Sequence, residues 1–120
     1  MVENNDPYGA AYYGTMINFY AMFGYFNDAS VLADRLIEVQ PFKPESYELK
    51  ADLSYQIMNY YLTRKEYREA LHYNDLVLDI EKQREEANKK TIAPFELTEK
   101  TKEIINAAKA NRESIESNIK

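Results

Sequence analysis

The chain has 120 residues, a formal net charge of −5 and no cysteine. A chain of this length fits one domain with its own core, and the lack of cysteine excludes disulfides and thiolate chemistry. Binding to nucleic acid through phosphate neutralisation is disfavoured, because no segment is strongly basic. With three glycines and four prolines, the sequence is expected to form long helices with few turns.

The first residues are polar and acidic and do not form a signal peptide, which favours a cytoplasmic location. A fragment of a larger or exported protein is the alternative. Residues 7–27 carry no charge and are long enough to span a bilayer. The polar residues Thr15 and Asn18 and several tyrosines argue against insertion, so we expect a helix that is buried on most of its sides.

Apolar side chains recur with the 3.6-residue period of a helix, and no segment alternates as a strand does. The predicted fold class is therefore all-α, with about five helices. Their expected bounds are 9–23, 27–40, 45–63, 65–90 and a last helix from near Pro94 or Thr98 to about 118. Gly24 is expected to end the first helix, and Asn27 or Asp28 to cap the second. Pro41 closes the second helix, and Pro44 fits the first turn of the third.

Two segments in the second half of the chain are expected to face solvent. The charge-rich run 81–90 is typical of a solvated helix face with ion pairs between neighbouring turns. The last helix has a narrow apolar stripe, formed by Leu97, Ile104, Ala108, Ile115 and Ile119. A helix that is polar outside and apolar inside is what the end of a helical array requires, so we expect this helix to act as a cap.

A helix–turn–helix pattern occurs twice, with a spacing of 41 residues. The matched pairs are Phe26 with Tyr67, Ala29 with Ala70, Leu36 with Val77, and Val39 with Ile80. The pattern resembles the tetratricopeptide repeat, which carries large and small residues at fixed positions of two helices. In the first unit these positions hold Tyr13, Met16, Ile17, Tyr20, Ala29, Ala33 and Pro41, with residues 24–26 in the turn. In the second unit they hold Ser54, Ile57, Met58, Tyr61, Ala70, Asn74 and Lys82, with Tyr67 in the turn.

The resemblance covers residues 10–82 and implies tetratricopeptide-like (TPR-like) antiparallel hairpins. The implied division is one repeat over about 10–41, a second over about 45–90 and a capping helix over about 94–119, in a single domain of residues 1–120. The chain departs from the family in repeat length, which is usually 34 residues, and in Ile17 and Met58, which replace a small residue. Other arrays of helical hairpins and an unrelated helical bundle are the alternatives.

In the resembled family, the first helix of each pair lines a concave groove in which a peptide lies. The resemblance therefore implies a protein–protein interaction module that needs no cofactor. The partner-binding residues implied by the register are Thr15, Asn18, Met22, Asp52, Tyr55, Gln56 and Asn59. Asn18 and Asn59 occupy the same place in both units, and an amide can donate to and accept from a peptide backbone. A carboxylate clamp is not expected, because only Lys50, at the edge, supplies a positive charge.

Catalysis is not expected from this sequence. Its one histidine, His72, lies in a charged helix without other ligands at metal-binding spacing. No glycine-rich loop can cradle a phosphate, and no serine has a base beside it. The sequence therefore predicts neither an enzyme nor a metal site, and a small-ligand or carbohydrate site lined by tyrosines is a weaker alternative to protein binding.

The uncharged first helix has more apolar residues than one hairpin can bury. Tyr12, Phe19, Met22, Phe23 and Tyr25 cannot all face the second helix, since a helix has one inward stripe. The surplus would form an exposed patch that an earlier helix of a longer protein or a second copy of the chain must cover. A structural homo-oligomer, here a homodimer, is thus the alternative function, with self-association through Tyr12, Phe19 and Phe23.

Overall fold

The computed structural model describes residues 9–119, with side chains from residue 11. These residues form five helices with their connecting segments and no strand. The helices are α1 (Gly9–Met22), α2 (Phe26–Val39), α3 (Pro44–Thr63), α4 (Tyr67–Asn88) and α5 (Glu99–Ser117). The all-α prediction is confirmed, with α5 beginning after Thr98 and not at Pro94. Residues 7 and 8 of the uncharged stretch lie outside the described residues.

The third helix holds the arrangement together, because α3 packs against each of the other four helices. In addition, α1 pairs with α2, and α4 pairs with α5. Successive helices pack as neighbours, with short turns up to α4 and a longer connection, residues 89–98, before α5. The alternation places α1, α3 and α5 on one side of the molecule and α2 and α4 on the other. No helix among residues 9–119 has the length and apolar character needed to cross a membrane.

The internal repeat is also present in the backbone. Gly24 and Lys65, the two described residues with a φ above zero, have φ angles of 82° and 60° and are 41 residues apart. Each follows a helix that ends in the same pair of hydrogen bonds: the N–H groups of Gly24 and Tyr25 donate to Ala21 and Tyr20, and those of Lys65 and Glu66 donate to Leu62 and Tyr61. This is the Schellman arrangement of a helix C-terminus. The expectation that Gly24 ends the first helix is therefore confirmed.

The predicted cap of the second helix is wrong. The N-cap residue is Tyr25, no side chain caps the helix, and Asn27 and Asp28 lie inside its first turn. The Schellman turn explains this, because it already positions Tyr25 so that its carbonyl accepts from the Ala29 N–H at 3.0 Å. Asp28 instead places a negative charge near the positive end of the helix dipole.

The core consists of two packed clusters. One joins α1, α2, α3 and α4, with Ile115 from the end of α5, and the other joins α3, α4 and α5 around Tyr47 and Ile80. Both α3 and α4 therefore contribute to both clusters. Two of the matched pairs of the repeat, Ala29 with Ala70 and Leu36 with Val77, have no exposed surface, whereas Val39 is only half-buried and its match Ile80 is fully buried.

The run 81–90 is only partly solvated. Glu85 and Glu86 are exposed as expected, but Ala87 is buried and Arg84 is largely covered. The Arg84 guanidinium donates to the Phe95 carbonyl at 3.2 Å, and the Asn88 amide bonds both the carbonyl and the N–H of Phe95, at 2.9 and 3.0 Å. The connection between α4 and α5 therefore folds back onto α4 and uses part of the charged run as its anchor.

Candidate peptide-binding groove

Two neighbouring depressions lie on the side of the molecule formed by α1, α3 and α5. The smaller one, of about 430 Å³, lies where the start of α1, the first half of α3 and the start of α5 meet. Its floor is apolar, with Leu49 and Ile104, and its rim carries Glu45, Glu48 and Asp52. This depression exists because α3 packs against both α1 and α5.

The larger depression, of about 650 Å³, lies between the end of α1, the beginning of α2 and the second half of α3. Met22, Phe23 and Tyr60 contribute most of its exposed apolar surface, because Leu53 and Ile57 beneath them are buried in the core. Asn18 and Gln56 contribute amides. The two depressions share no lining residue but are linked at α3, where the Gln56 side-chain amide donates to the Asp52 carboxylate of the smaller one at 2.8 Å. We call the two depressions together the groove.

The seven predicted binding residues are not all placed alike. Asn18, Met22 and Gln56 line the larger depression, Asp52 lines the smaller, and Thr15 and Asn59 are exposed. The Thr15 hydroxyl donates to the Ala11 carbonyl of its own helix at 2.9 Å. Tyr55 is half-buried and packs against both core clusters, so much of its ring contributes to the core.

A polar stripe runs along the groove side of α3. It consists of Asp52, Gln56, Asn59 and Thr63, which are separated by four, three and four residues and so lie on one helical face. The Thr63 hydroxyl donates to the backbone carbonyl of Asn59 at 2.8 Å. The stripe therefore presents amide side chains next to the apolar floors of both depressions.

The two ends of the groove differ in charge. Around the smaller depression, Glu45, Glu48 and Asp52 outnumber the one cation, Lys100. The Glu48 carboxylate also accepts from the Thr98 N–H at 2.8 Å and so fixes the start of α5. At the other end, the Arg64 guanidinium lies 3.7 Å from the centre of the Tyr60 ring, which lines the larger depression, in cation–π geometry.

The sequence reasoning placed Lys50 wrongly. Instead of lying at the edge of the groove, its ammonium is buried 2.8 Å from Asp34 and 3.4 Å from Gln83. It thus connects α3 to α2 and α4, on the side away from the groove. Repeat register alone could not reveal this, because the two partners are distant in the sequence.

The sequence reasoning also missed the contribution of α5 to the groove. Thr98, Lys100, Thr101 and Ile104 all line the smaller depression, although α5 was expected to act as a cap alone. The alternation of antiparallel helices was the signal that could have found them, because it returns α5 to the side of α3. Tyr60, whose role the sequence left open, is exposed and lines the larger depression.

Two tyrosines of the described chain have a raised pKa. Burial raises the pKa of Tyr61, which stacks on Tyr73, and the neighbouring Tyr73 and Glu66 raise it further. Burial likewise raises the pKa of Tyr47, whose hydroxyl donates to the Pro41 carbonyl at 2.6 Å. Among the described side chains, no group of three or more histidines or carboxylates is placed to hold a metal ion.

No protein-family model, no curated protein and no solved structure matched the chain. The tetratricopeptide resemblance therefore stays a prediction, based on the residues of the two repeat units. Any function has to be inferred from the geometry and chemistry of the groove.

Proposed function

We propose that this protein is an interaction module, and not an enzyme, that binds a peptide segment of a partner protein along the groove. The observation that carries the proposal is the position of the two depressions: both lie along α3, and the hydrogen bond between Gln56 and Asp52 links their linings. Apolar pockets with a few placed polar groups are the usual form of a binding site.

The dimensions of the groove suit a short segment. From Leu49 to Tyr60 the helix α3 advances by about 16 Å, at 1.5 Å per residue. An extended peptide covers that distance with about five residues, at 3.3 Å each. Side chains that point toward the groove can then enter both depressions, whose volumes are about 430 and 650 Å³.

The chemistry of the groove suggests how the segment is held. Apolar side chains would contact Leu49 in one depression and Tyr60 in the other. The exposed amides of Gln56, in the larger depression, and of Asn59, beside it on the polar stripe, would pair with peptide N–H and C=O groups. A basic residue of the partner would lie near Asp52, at the acidic end of the groove. Complementary charge at a rim raises the association rate and orients the partner.

To test the proposal, peptides of about 12 residues are selected from a random display library against the immobilised protein. Their affinity for the protein is then measured by fluorescence anisotropy. We expect Asn59→Ala to weaken binding by about 1–3 kcal/mol, or roughly 5- to 150-fold, because it leaves peptide polar groups unpaired. Thermal stability should barely change, since the Asn59 side chain is exposed. Asn106→Ala, at an exposed position of α5 outside the polar stripe of α3, is the matched control.

A second variant tests the apolar part of the site. Met22→Glu places a charge in the larger depression and should abolish the binding of selected peptides while the far-ultraviolet circular dichroism stays unchanged. Peptides that bind Asn59→Ala as tightly as the wild type would reject the role of the amide. Selection that enriches no peptide, or peptides indifferent to both variants, would reject the groove as the binding site.

A further inference from the structure

We propose that two copies of this chain associate through the outer face of α1. This face consists of Tyr12, Phe19, Met22, Phe23 and Tyr25, with exposed fractions of 56, 53, 77, 61 and 59 % respectively. The large apolar side chains that are exposed elsewhere in the described chain, among them Val31, Phe42 and Ile92, are dispersed over other elements. The exposure predicted from the sequence for these five residues is therefore confirmed, and they form a concentrated surface.

The outer face is continuous along the helix. Tyr12, Phe19 and Phe23 are separated by seven and four residues, so they follow one line on the side of α1 turned away from Ile17 and the core. The ring centres of Phe19 and Phe23 are 5.0 Å apart, and Tyr25 contacts Tyr20 with centres 6.2 Å apart. The rings already pack against one another and form a firm surface for a partner.

The size of the outer face fits a small dimer interface. With about 200 Å² for each side chain, a typical value for a large aromatic residue, the exposed fractions amount to roughly 600 Å² per copy. Two copies would bury about 1,200 Å², which is at the lower limit of specific, stable interfaces. Soluble monomers seldom expose apolar patches of more than about 300–600 Å². Association in the micromolar range is therefore expected.

Charge identifies a second copy as the occupant. A two-fold interface brings each surface against itself, so a charged face would meet like charge. The helix α1 has no charged residue, and the nearest one that follows is Asp28. A head-to-tail contact with α5 is disfavoured, because the exposed side of α5 carries Glu99, Lys100, Glu103, Lys109, Arg112 and Glu113. The exposed surface of α1 is thus uncharged and that of α5 is charged, so α1 is better matched to α1 of a second copy than to α5.

The arrangement we infer is antiparallel. A two-fold axis that crosses α1 between Ile17 and Asn18 places Tyr12 of one copy opposite Phe23 of the other, and Phe19 opposite Met16. The aromatic line of each copy then lies beside that of its partner over about 17 Å of helix. The outer face overlaps the groove at Met22 and Phe23, which line the larger depression, whereas Tyr12 and Phe19 line neither depression and so test the dimer separately.

Sedimentation velocity of the wild-type chain at about 1 to 100 µM tests the proposal, and we expect a monomer–dimer equilibrium in this range. Phe19→Glu should raise the dissociation constant at least about a hundredfold, because a two-fold dimer receives two buried charges. Phe42→Glu is the matched control: the substitution is the same, the exposure is similar at 46 %, and the site lies outside the outer face. We expect it to leave association unchanged. Tyr12→Glu gives a second test position, and circular dichroism monitors the fold of every variant.

Cysteine pairs test the arrangement, since the natural chain has no cysteine. A mixture of Tyr12→Cys and Phe23→Cys chains should cross-link under copper–phenanthroline oxidation, whereas Tyr12→Cys alone should not. A wild type that stays monomeric to 100 µM would assign the face to a different partner and overturn the proposal. Association that survives both Phe19→Glu and Tyr12→Glu would overturn it too, and cross-links between two Tyr12→Cys chains would overturn the antiparallel arrangement.

Discussion

Gly24 and Lys65 occupy equivalent helix ends, so a glycine can be removed at one and introduced at the other, and the two changes should have opposite effects on stability. Both residues have a φ in the left-handed region, at 82° and 60°. A side chain there costs about 1–2 kcal/mol, whereas glycine avoids that cost but loses about 0.5–1 kcal/mol through the entropy of the unfolded chain. Lys65→Gly should therefore increase the free energy of unfolding by about 0.5–1 kcal/mol. Gly24→Ala should decrease it by a similar amount, and the change isolates the backbone, because an added Cβ would have no atom within 4 Å.

Thermal and urea unfolding followed by circular dichroism at 222 nm measures both changes, which correspond to Tm shifts of about 2–5 °C for a domain of this size. Lys65→Ala is the control, because it removes the same side chain without relieving the backbone. A Lys65→Gly chain no more stable than Lys65→Ala would contradict the reasoning. So would a Gly24→Ala chain that unfolds at the wild-type temperature.

Two further predictions concern Tyr47 and Arg84. Burial raises the pKa of Tyr47 above 10.0, so the stability contributed by its protonated form is complete below pH 10 and is lost as the pH rises through the folded pKa. Urea unfolding between about pH 8 and 11 should show a smaller alkaline decrease for Tyr47→Phe than for the wild type, with about 1 kcal/mol lost at neutral pH through the missing hydrogen bond; equal slopes would contradict this. Arg84→Ala should remove one of the two side-chain hydrogen bonds to the Phe95 carbonyl and so accelerate amide hydrogen exchange in residues 89–98. Arg68→Ala, at an exposed position of the same helix, should leave exchange there unchanged.

The helices could be predicted because each depends on a local signal. The period of apolar residues defines the buried face of each helix. Pro44 marks the start of α3, and Gly24 marks the end of α1. The end of α3 was harder to predict, because Lys65, the residue with a positive φ that follows it, is not a glycine. Only the 41-residue repeat relates it to Gly24. Repetition therefore carried information that the local residue preference did not contain.

The fate of several polar residues could not be predicted, because it depends on distant partners. Lys50 is buried by Asp34 and Gln83, which come from two other helices. Asn74 donates to the Ala108 carbonyl at 2.9 Å, 34 residues away, and is fully buried in a helix that reads as charged. Burial of such groups is stable only when a partner lies at the right place, and sequence spacing does not supply that position.

The groove residues were predicted from the register of the repeat, and only some of them line a depression in the structure. Gln56 and Asn18, two of the residues that register predicts, line the larger depression. Tyr55, one residue away, turns by about 100° and packs largely into the core. Neighbouring residues can therefore differ in role, one lining a depression and the next packing in the core. A repeat that is matched only loosely does not fix the register well enough to distinguish them.

Both proposed surfaces use α1, and they overlap at its C-terminal end, where Met22 and Phe23 belong to the outer face and also line the larger depression. Nearer the middle of the helix the surfaces separate: Ile17 faces the core, Asn18 faces the groove and Phe19 faces outward, because each step turns the side chain by about 100°. A dimer would therefore cover part of the larger depression, and each side of α1 contacts the core, a peptide or a second copy. A charged residue would be costly against the core, and it would meet its own copy at the two-fold interface. The absence of charge from α1 is thus what a helix covered on three sides requires, and a membrane span is not needed to explain it.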